Sequence, residues 1–326
     1  MRLDIQSNSL QLEPWINELY VSNDLTSQLH LRSAPIQLHV ESKGGPHQIR
    51  LTPKGDAIFA ETNLCGGRCY YRDGMFFSSG NGDYEHEMEY DLQSGTIRVN
   101  VGGKYQVNGQ ALISNLLRPI LQSFLLPFHN LKTLHGALLT KNGETLFLSG
   151  RGGAGKTTTA VQFANSGYEV LSDDGPIFTL HNGNALALSS LDYLHFTENT
   201  LNLFPELNAY VVGQKDSRDK FAIALRKLST GKAWMKPHKI TRFIELRRQA
   251  EVKHPAIKSI SKSRVLRDLL NDSMVIFRRA PFSGDAVFKR YSDFIFDLIV
   301  NVIEHAEVYS VEYSDHHLRD LPALLD

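Results

Sequence analysis

Polar and apolar residues alternate in short runs through the first third of the chain, and turn residues separate the runs. Neighbouring side chains of a strand point to opposite faces, so alternation predicts strands with one buried face. The runs with this pattern are residues 36–40, 48–51, 57–61, 70–77 and 84–101. The fourth run centres on an Asp-Gly pair and the fifth on a Ser-Gly pair, which are hairpin signals. We therefore predict an N-terminal antiparallel β module over residues 1–107.

The apolar spacing becomes helical between residues 111 and 128. Apolar side chains recur there three and four residues apart, and Pro127 ends the pattern. We predict a helix here, within a linking segment over residues 108–130.

Strand and helix patterns follow one another from residue 131 onward, which is typical of an α/β domain. Residues 135–140 and 144–149 are strand-like runs on either side of an Asn-Gly turn signal. Further strands are predicted at residues 168–172, 176–180, 185–188 and 241–246, and helices at residues 157–165, 263–276 and 286–304. We predict a second domain, of the α/β class, over residues 131–326.

Composition excludes several classes of partner. Hydrophobic residues make up 42% and charged residues 21% of the 326 residues, the balance of a folded globular protein. The 35 Lys and Arg residues cancel the 35 Asp and Glu residues, so no net field attracts nucleic acid or an anionic membrane surface. Cys65 and Cys69 are too few ligands for a structural zinc site.

Neither an export signal nor a membrane anchor is predicted. Residues 1–15 carry two acids and lack the basic start and apolar centre of a signal peptide. Asp297 and Asn301 interrupt the most apolar stretch, residues 294–303, which falls short of the roughly 20 residues needed to cross a bilayer. We expect a cytoplasmic protein that binds neither nucleic acid nor membrane.

The strongest chemical signal is the run Gly-Arg-Gly-Gly-Ala-Gly-Lys-Thr at residues 150–157, a full match to the pattern G-x-x-x-x-G-K-[ST]. Glycines let the backbone curl so that successive N–H groups point inward, and the following helix adds its positive N-terminal end. Lys156 is expected to reach the β- and γ-phosphates of a nucleotide, and the Thr157 hydroxyl to bind Mg²⁺. The predicted nucleotide-binding residues are Gly150, Arg151, Gly152, Gly153, Ala154, Gly155, Lys156, Thr157 and Thr158.

A pair of acids, Asp173 and Asp174, follows a predicted strand only 17 positions (173 − 156) beyond Lys156. A short helix and a short strand fill that gap, so the pair is expected to return to the phosphate end of the sheet. Adjacent side chains of an extended chain point to opposite sides, so the two carboxylates cannot play the same part. One can serve a metal ion and the other a nucleophile.

A cation is expected to face the γ-phosphate across the cleft, because charge accumulates there during phosphoryl transfer. The polar stretch after Gly213 offers Lys215, Arg218 and Lys220. We select Arg218, since its planar fork binds phosphate oxygens in pairs. A solvated charged loop is the alternative.

Three motifs together carry a resemblance to a known family. His135-Gly136, the loop at residues 150–157 and Leu-Ser-Asp-Asp at residues 171–174 occur in the order and approximate spacing of the catalytic domain of HPr kinase/phosphorylase. The likeness is clear over residues 134–178. It implies a P-loop kinase core of the HPr kinase/phosphoenolpyruvate-carboxykinase type.

The resemblance also implies roles for the acid pair and the histidine. Asp173 is then the general base for a substrate hydroxyl, Asp174 joins Thr157 around Mg²⁺, and His135 lies near the reacting phosphate. The residues alone leave the roles of the two acids exchangeable. His135 taken without the family would be interpreted as a packed strand histidine.

The glycine-rich signature and the N-terminal domain of the bifunctional enzymes are not found in this chain. The resemblance therefore favours the HPr-kinase-related kinases, among them kinases of ribosomal-peptide precursors. We predict an ATP- and Mg²⁺-dependent kinase acting on a hydroxyl of a peptide, a protein or a small molecule. The alternatives are a nucleotide-regulated switch with ATPase activity and a small-molecule kinase. The family forms oligomers, so a homo-oligomer is implied.

Overall fold

The protein is described by a computed structural model of mixed α/β architecture. The described residues are 3–7, 36–42, 58–62, 67–72, 74–91, 94, 96–104, 112, 116–117, 126, 130–189, 193–212, 220–224, 231–273 and 286–325. They belong to two compact units, which are residues 1–130 with 272–295 and residues 131–271 with 296–326.

The first unit contains a seven-stranded sheet with the strand order β1-β2-β7-β6-β5-β4-β3. Its strands are β1 (Leu3–Ser7), β2 (Ile36–Ser42), β3 (Ile58–Thr62), β4 (Gly67–Arg72), β5 (Met75–Gly80), β6 (His86–Asp91) and β7 (Thr96–Val101). Antiparallel pairing of β4 with β5 and of β6 with β7 confirms the two predicted hairpins. The strand predicted at residues 48–51 lies outside the described residues.

The prediction of a wholly antiparallel module is wrong. Strand β2 pairs in parallel with both β1 and β7. Hairpin signals specify the direction of strands that adjoin in sequence, whereas β2 and β7 are joined by a long connection that contains four other strands. Local turn chemistry therefore could not predict the direction of this pair.

Alternation along these strands buries one face of the sheet. Phe76 pairs with Tyr90 and Tyr90 with Ile97, while Met88 pairs with Val99, and all five side chains are buried. Of the segment predicted as a linking helix, the structure describes only the buried Leu112, Leu116, Leu117 and Leu126, and the exposed Asn130. The remainder of that helix lies outside the described residues.

The second unit is built on a six-stranded sheet with the order β11-β9-β10-β17-β19-β18. Two three-stranded sheets, β13-β12-β8 and β14-β16-β15, accompany it. The strands are β8 (Leu131–Thr133), β9 (Ala137–Lys141), β10 (Glu144–Ser149), β11 (Glu169–Ser172), β12 (Ile177–His181), β13 (Asn184–Leu188), β14 (Tyr193–Phe196), β15 (Val211–Val212), β16 (Phe221–Ala224), β17 (Arg242–Arg248), β18 (Ala256–Ser259) and β19 (Glu307–Tyr313).

Five α-helices have defined bounds within the described part of the chain. They are α1 (Lys156–Asn165), α2 (Glu198–Leu203), α3 (Lys262–Ser273), α4 (Ala286–Glu304) and α5 (Leu321–Leu325). The predicted helices α1, α3 and α4 are confirmed, with ends that differ by at most three residues. No helix in the described residues has both the length and the apolar content to cross a membrane.

Strand directions bring the motif-bearing ends of the large sheet together. Strands β10, β17 and β19 are parallel, and β9 runs antiparallel to both β10 and β11. The carboxyl ends of β10, β11, β17 and β19 therefore share an edge with the beginning of β9. Helix α1 packs Ala160, Val161 and Phe163 into the core of this unit. This edge holds the glycine loop, the acid pair and the His-Gly motif.

Candidate functional site

The glycine loop connects the end of β10 to the start of α1, as the sequence predicts. Gly155, the residue before the helix, has φ 85°, a left-handed conformation that a side chain would strain. A Cβ atom built there would also lie 2.5 Å from the Tyr313 hydroxyl oxygen. Glycine is thus required at this position both by backbone conformation and by close packing.

Lys156 is the first residue of α1 and is buried. Its Nζ donates hydrogen bonds to the carbonyl oxygens of Gly150 at 2.8 Å and Arg151 at 3.3 Å. Burial lowers the pKa of this amine, and the negative charges of Asp174 and Asp173 oppose that shift. The amine is therefore held beneath the start of the loop, near two carboxylates.

Asp173 is buried at the end of β11, with 3% of its surface exposed. The Thr157 hydroxyl and the backbone N–H of His195 are donors close enough to its carboxylate to lower the pKa of that group. One oxygen, Oδ1, has no hydrogen-bond partner among the described residues. Burial raises the pKa of Asp173 to about 6, and these two donors reduce the shift.

Asp174 is more accessible than Asp173 and faces a different partner. Its Oδ1 lies 2.9 Å from Nδ1 of His135, and the two side chains are 37% and 58% exposed. His135 is therefore at the site rather than packed within a strand. The next residue must be Gly136, because a Cβ atom there would lie 2.5 Å from the Leu148 carbonyl oxygen. The Gly136 carbonyl accepts a hydrogen bond from Gly175 N–H at 3.2 Å. That bond ties the segment after the acid pair to the start of β9.

The small sheet β14-β16-β15 supplies two groups to the acid pair. Strand β14 carries His195, and Lys220 directly precedes β16, its antiparallel partner. Lys220 is close enough to lower the pKa of Asp173 and of Lys156 by its positive charge. Arg218, the predicted cation, lies outside the described residues. Lys220 is the member of the predicted cationic stretch that the structure describes at the site.

Tyr313 is the site residue that the sequence reasoning missed. It ends β19, is fully buried, and donates a hydrogen bond from its hydroxyl to the carbonyl oxygen of Ala154 at 2.7 Å. The hydroxyl also lies 3.1 Å from Oγ1 of Thr159. The run of valines and tyrosines at residues 307–313 is a strand signal, although nothing in it points to the glycine loop.

Two predicted nucleotide-binding residues have side-chain partners away from the loop. Arg151 is exposed and acts electrostatically on Glu245, which also binds Arg264 at 2.9 Å. Thr158 is buried, and its Oγ1 lies 3.0 Å from Oγ1 of Thr200 in α2. The side chain of Thr158 therefore stabilises the helix. Its backbone N–H, in the first turn, is the group that can bind an anion.

The edge thus assembles most of the predicted site residues: the glycine loop, Lys156, Thr157, the acid pair and His135 are within one unit. The metal role of Asp174 and the base role of Asp173 stay predictions. The Thr157 hydroxyl acts on Asp173, whose pKa it lowers. No group of three or more His, Cys, Asp or Glu side chains that could hold a metal by themselves occurs in the described part of the chain.

No protein-family model and no curated protein matches this chain. Among solved structures, it is similar to the HPr(Ser) kinase/phosphatase from Coxiella burnetii, with 12% sequence identity and a TM-score of 0.31. The match covers 60% of this chain and 91% of the other chain. A TM-score of that size supports no conclusion about this chain, so its resemblance to the family stays a prediction and conclusions about function come from its own residues.

Proposed function

We propose that the chain is an ATP- and Mg²⁺-dependent phosphotransferase that transfers the γ-phosphate to a hydroxyl group of a peptide, a protein or a small molecule. The observation that carries the proposal is the burial of Asp173 beside the Thr157 hydroxyl, next to a glycine loop whose carbonyl oxygens bind the buried Lys156. A loop that only turned the chain would not need a buried lysine and a buried carboxylate beside it, because burial of both charges is costly.

The residues present fit a magnesium ion bound together with a triphosphate. Mg²⁺ usually takes one or two carboxylates and fills its other positions with phosphate oxygens and water. The Thr157 hydroxyl and the unpartnered Oδ1 of Asp173 are oxygen ligands of that kind. When bound, the ion neutralises charge that develops on the transferred phosphoryl group.

The contacts of the two acids support exchanging the roles first implied for them. Asp173 is buried beside the Thr157 hydroxyl, so we assign it to the metal side. Asp174 is accessible to an acceptor and is paired with His135, so we assign it the proton of the acceptor hydroxyl. His135 stabilises and orients the Asp174 carboxylate in this arrangement.

The reaction follows from these positions. Lys156 and the N–H groups at the start of α1 hold the β- and γ-phosphates. The acceptor oxygen forms a bond to the γ-phosphorus as the bond from that phosphorus to the β-γ bridging oxygen breaks. The acceptor proton passes to Asp174, and ADP leaves. Lys220 adds a positive charge near the acids, where charge accumulates.

The test compares two matched variants, Asp173→Asn and Asp174→Asn. Purified proteins are incubated with Mg²⁺ and γ-labelled ATP in an extract of the source cells, and the labelled product is identified. Mg·ATP affinity is measured separately by calorimetry. We expect Asp174→Asn to abolish transfer while binding stays within about threefold, and Asp173→Asn to weaken binding by about tenfold or more as well.

Each outcome has a defined meaning. If the two phenotypes are swapped, the phosphotransferase stands and Asp173 is the base. If the label is released only as free phosphate, the protein hydrolyses the nucleotide and is a switch rather than a kinase. A wild-type protein that binds no Mg·ATP would overturn the proposal as a whole.

A further inference from the structure

The glycine loop has few anchors of its own. Gly152 and Gly153 are exposed, and a Cβ atom built on either would meet nothing within 4 Å. A loop with such freedom loses entropy when it closes around a ligand, which lowers affinity unless the loop is held in advance. The hydrogen bonds from Lys156 Nζ to the carbonyl oxygens of Gly150 and Arg151 hold the beginning of the loop. At its end, Ala154 N–H donates to the Arg151 carbonyl oxygen at 3.0 Å, which closes the loop on itself but does not tie it to the sheet.

Tyr313 anchors this end of the loop from a different element. It is the last residue of β19, which lies between β17 and the edge strand β18 of the large sheet, and its side chain is fully buried. A phenol has one hydroxyl proton, and the 2.7 Å bond to the Ala154 carbonyl oxygen uses it. The Thr159 hydroxyl, 3.1 Å away, is therefore the donor of the second bond, to the phenol oxygen. One buried oxygen thus joins the loop, the first turns of α1 and the sheet.

The bond to Ala154 also determines where the next amide points. In a planar trans peptide unit, the C=O and the following N–H are directed to opposite sides. Since the Ala154 carbonyl faces the buried Tyr313 hydroxyl, the N–H of Gly155 faces away from it. The phenol oxygen also leaves no room for a side chain at Gly155, where an ideal Cβ would be 2.5 Å away. An amide whose direction is fixed in advance is what an anion-binding loop requires.

We propose that Tyr313 is a positioning residue that holds residues 154–155 of the glycine loop in the conformation that binds the nucleotide phosphates. The role in nucleotide binding rests on the proposed function, whereas the restraint on the loop does not. The phenol contacts neither the acids nor the transferred group. Its loss should therefore weaken nucleotide binding more than it slows the chemical step.

The test uses Tyr313→Phe, which keeps the buried ring and removes only the hydroxyl. Tyr309→Phe is the matched control, because Tyr309 lies on the same strand and its exposed hydroxyl donates to the side chain of Glu307 at 3.2 Å, away from the glycine loop. Amide hydrogen exchange over residues 150–157 is measured without nucleotide. We expect exchange about tenfold faster in Tyr313→Phe, consistent with loss of one buried hydrogen bond, and unchanged exchange in Tyr309→Phe.

Nucleotide affinity and kinetics give the second readout. We expect Tyr313→Phe to raise the Kd and the KM for Mg·ATP about tenfold, while kcat changes less than about threefold. Thr159→Val, which removes the second bond and keeps the first, is expected to have a smaller effect on exchange and on Kd, about threefold. If Tyr313→Phe does not fold, Thr159→Val alone is tested by the same two measurements. The proposal is overturned if neither the exchange rate nor the Kd of Thr159→Val changes.

The two proposals fail in different ways. Unchanged exchange and unchanged Kd in Tyr313→Phe overturn the positioning role, even if the wild-type protein is an active kinase. If exchange is faster in Tyr313→Phe but the wild-type protein binds no nucleotide, Tyr313 still restrains the loop and the phosphotransferase proposal is wrong. A kcat that falls tenfold with an unchanged KM would place Tyr313 in the chemical step and also overturn the proposal.

Discussion

The two ends of the β9-β10 pair differ in how closely they are packed. The hairpin end holds the Asn-Gly turn between the strands, and the motif end holds the His-Gly motif and the glycine loop. At the hairpin end, Asn142 and Gly143 have φ of 52° and 86°, and nothing lies within 4 Å of a Cβ built on Gly143. At the opposite end, a Cβ on Gly136 would be 2.5 Å from the Leu148 carbonyl oxygen and the Phe147 ring. The hairpin end is open, and the motif end is crowded.

The two ends also differ in whether their charged side chains are exposed or buried. The hairpin end carries Lys141 and Glu144, both partly exposed, whereas Lys156 and Asp173 are buried at the motif end. An open turn needs only residues that accept its backbone conformation. Buried charges lower stability unless they are paired and bonded, so their presence makes this end the candidate site for chemistry.

The largest effect is expected from removing charge at the motif end. Lys156→Met keeps the side-chain stem but removes the amine, so phosphoryl transfer should fall by roughly 10³-fold, since the γ-phosphate loses its main protein cation. Lys141→Met makes the same change at the hairpin end, where the amine lies 4.8 Å from the Tyr168 ring centroid. Its rate should stay within about twofold. Equal losses of activity in both variants would contradict the distinction between the ends.

The next effect separates the two kinds of glycine. Gly136→Ala forces a methyl group against the Leu148 carbonyl and should lower the free energy of unfolding by about 3–4 kcal/mol. Gly143→Ala meets only backbone strain at φ 86° and should cost about 1 kcal/mol. Urea denaturation of both variants measures the difference. A Gly136→Ala protein as stable as Gly143→Ala would show that the crowded end can relax.

The smallest effect concerns the pH dependence of stability. The pKa of Asp173 is raised from 3.8 to about 6 in the folded protein, so the folded state binds a proton that the unfolded chain has released. The resulting stabilisation is complete below pH 4 and is lost as pH rises through 6, by about 2–3 kcal/mol for a shift of this size. Asp173→Asn should remove this slope, whereas Glu144→Gln at the hairpin end should retain it.

Denaturation midpoints from pH 4 to pH 7 check this expectation in the nucleotide-free protein. The Glu144 side chain is 46% exposed and pairs with Arg242, so its substitution controls for a general loss of charge. An identical slope in wild type and Asp173→Asn would mean that Asp173 does not titrate in this range.

Local sequence patterns predicted much of the fold. The Asn-Gly and Asp-Gly hairpins, the strand before the glycine loop and the helix after it depend on neighbouring residues, and all are present. The parallel pairings of β2 with β7 and of β17 with β19 depend on residues far apart in sequence. No turn or periodicity records such pairings, so they could not be predicted from the pattern.

In the candidate site too, the residues with local contacts were predicted and those with long-range contacts were not. Lys156, Thr157 and the acid pair were found because their spacing is fixed by one strand-loop-helix-strand unit. Lys220 was considered, but Arg218 was selected for its planar fork. The closeness of Lys220 to Asp173 depends on the pairing of β14 with β16, which no local pattern records. The Tyr313 hydroxyl bond spans 159 positions, between residues 154 and 313, and no motif includes it.

The sequence by itself determined the elements whose contacts are local: the hairpins, the glycine loop with its lysine, and the two acids a short crossover away. Only the tertiary structure decided which acid lies beside Thr157, which histidine meets Asp174 and which tyrosine holds the loop. The physical reason is that backbone conformation is set by neighbours in the chain, whereas burial and hydrogen-bond partners are set by which strands lie side by side.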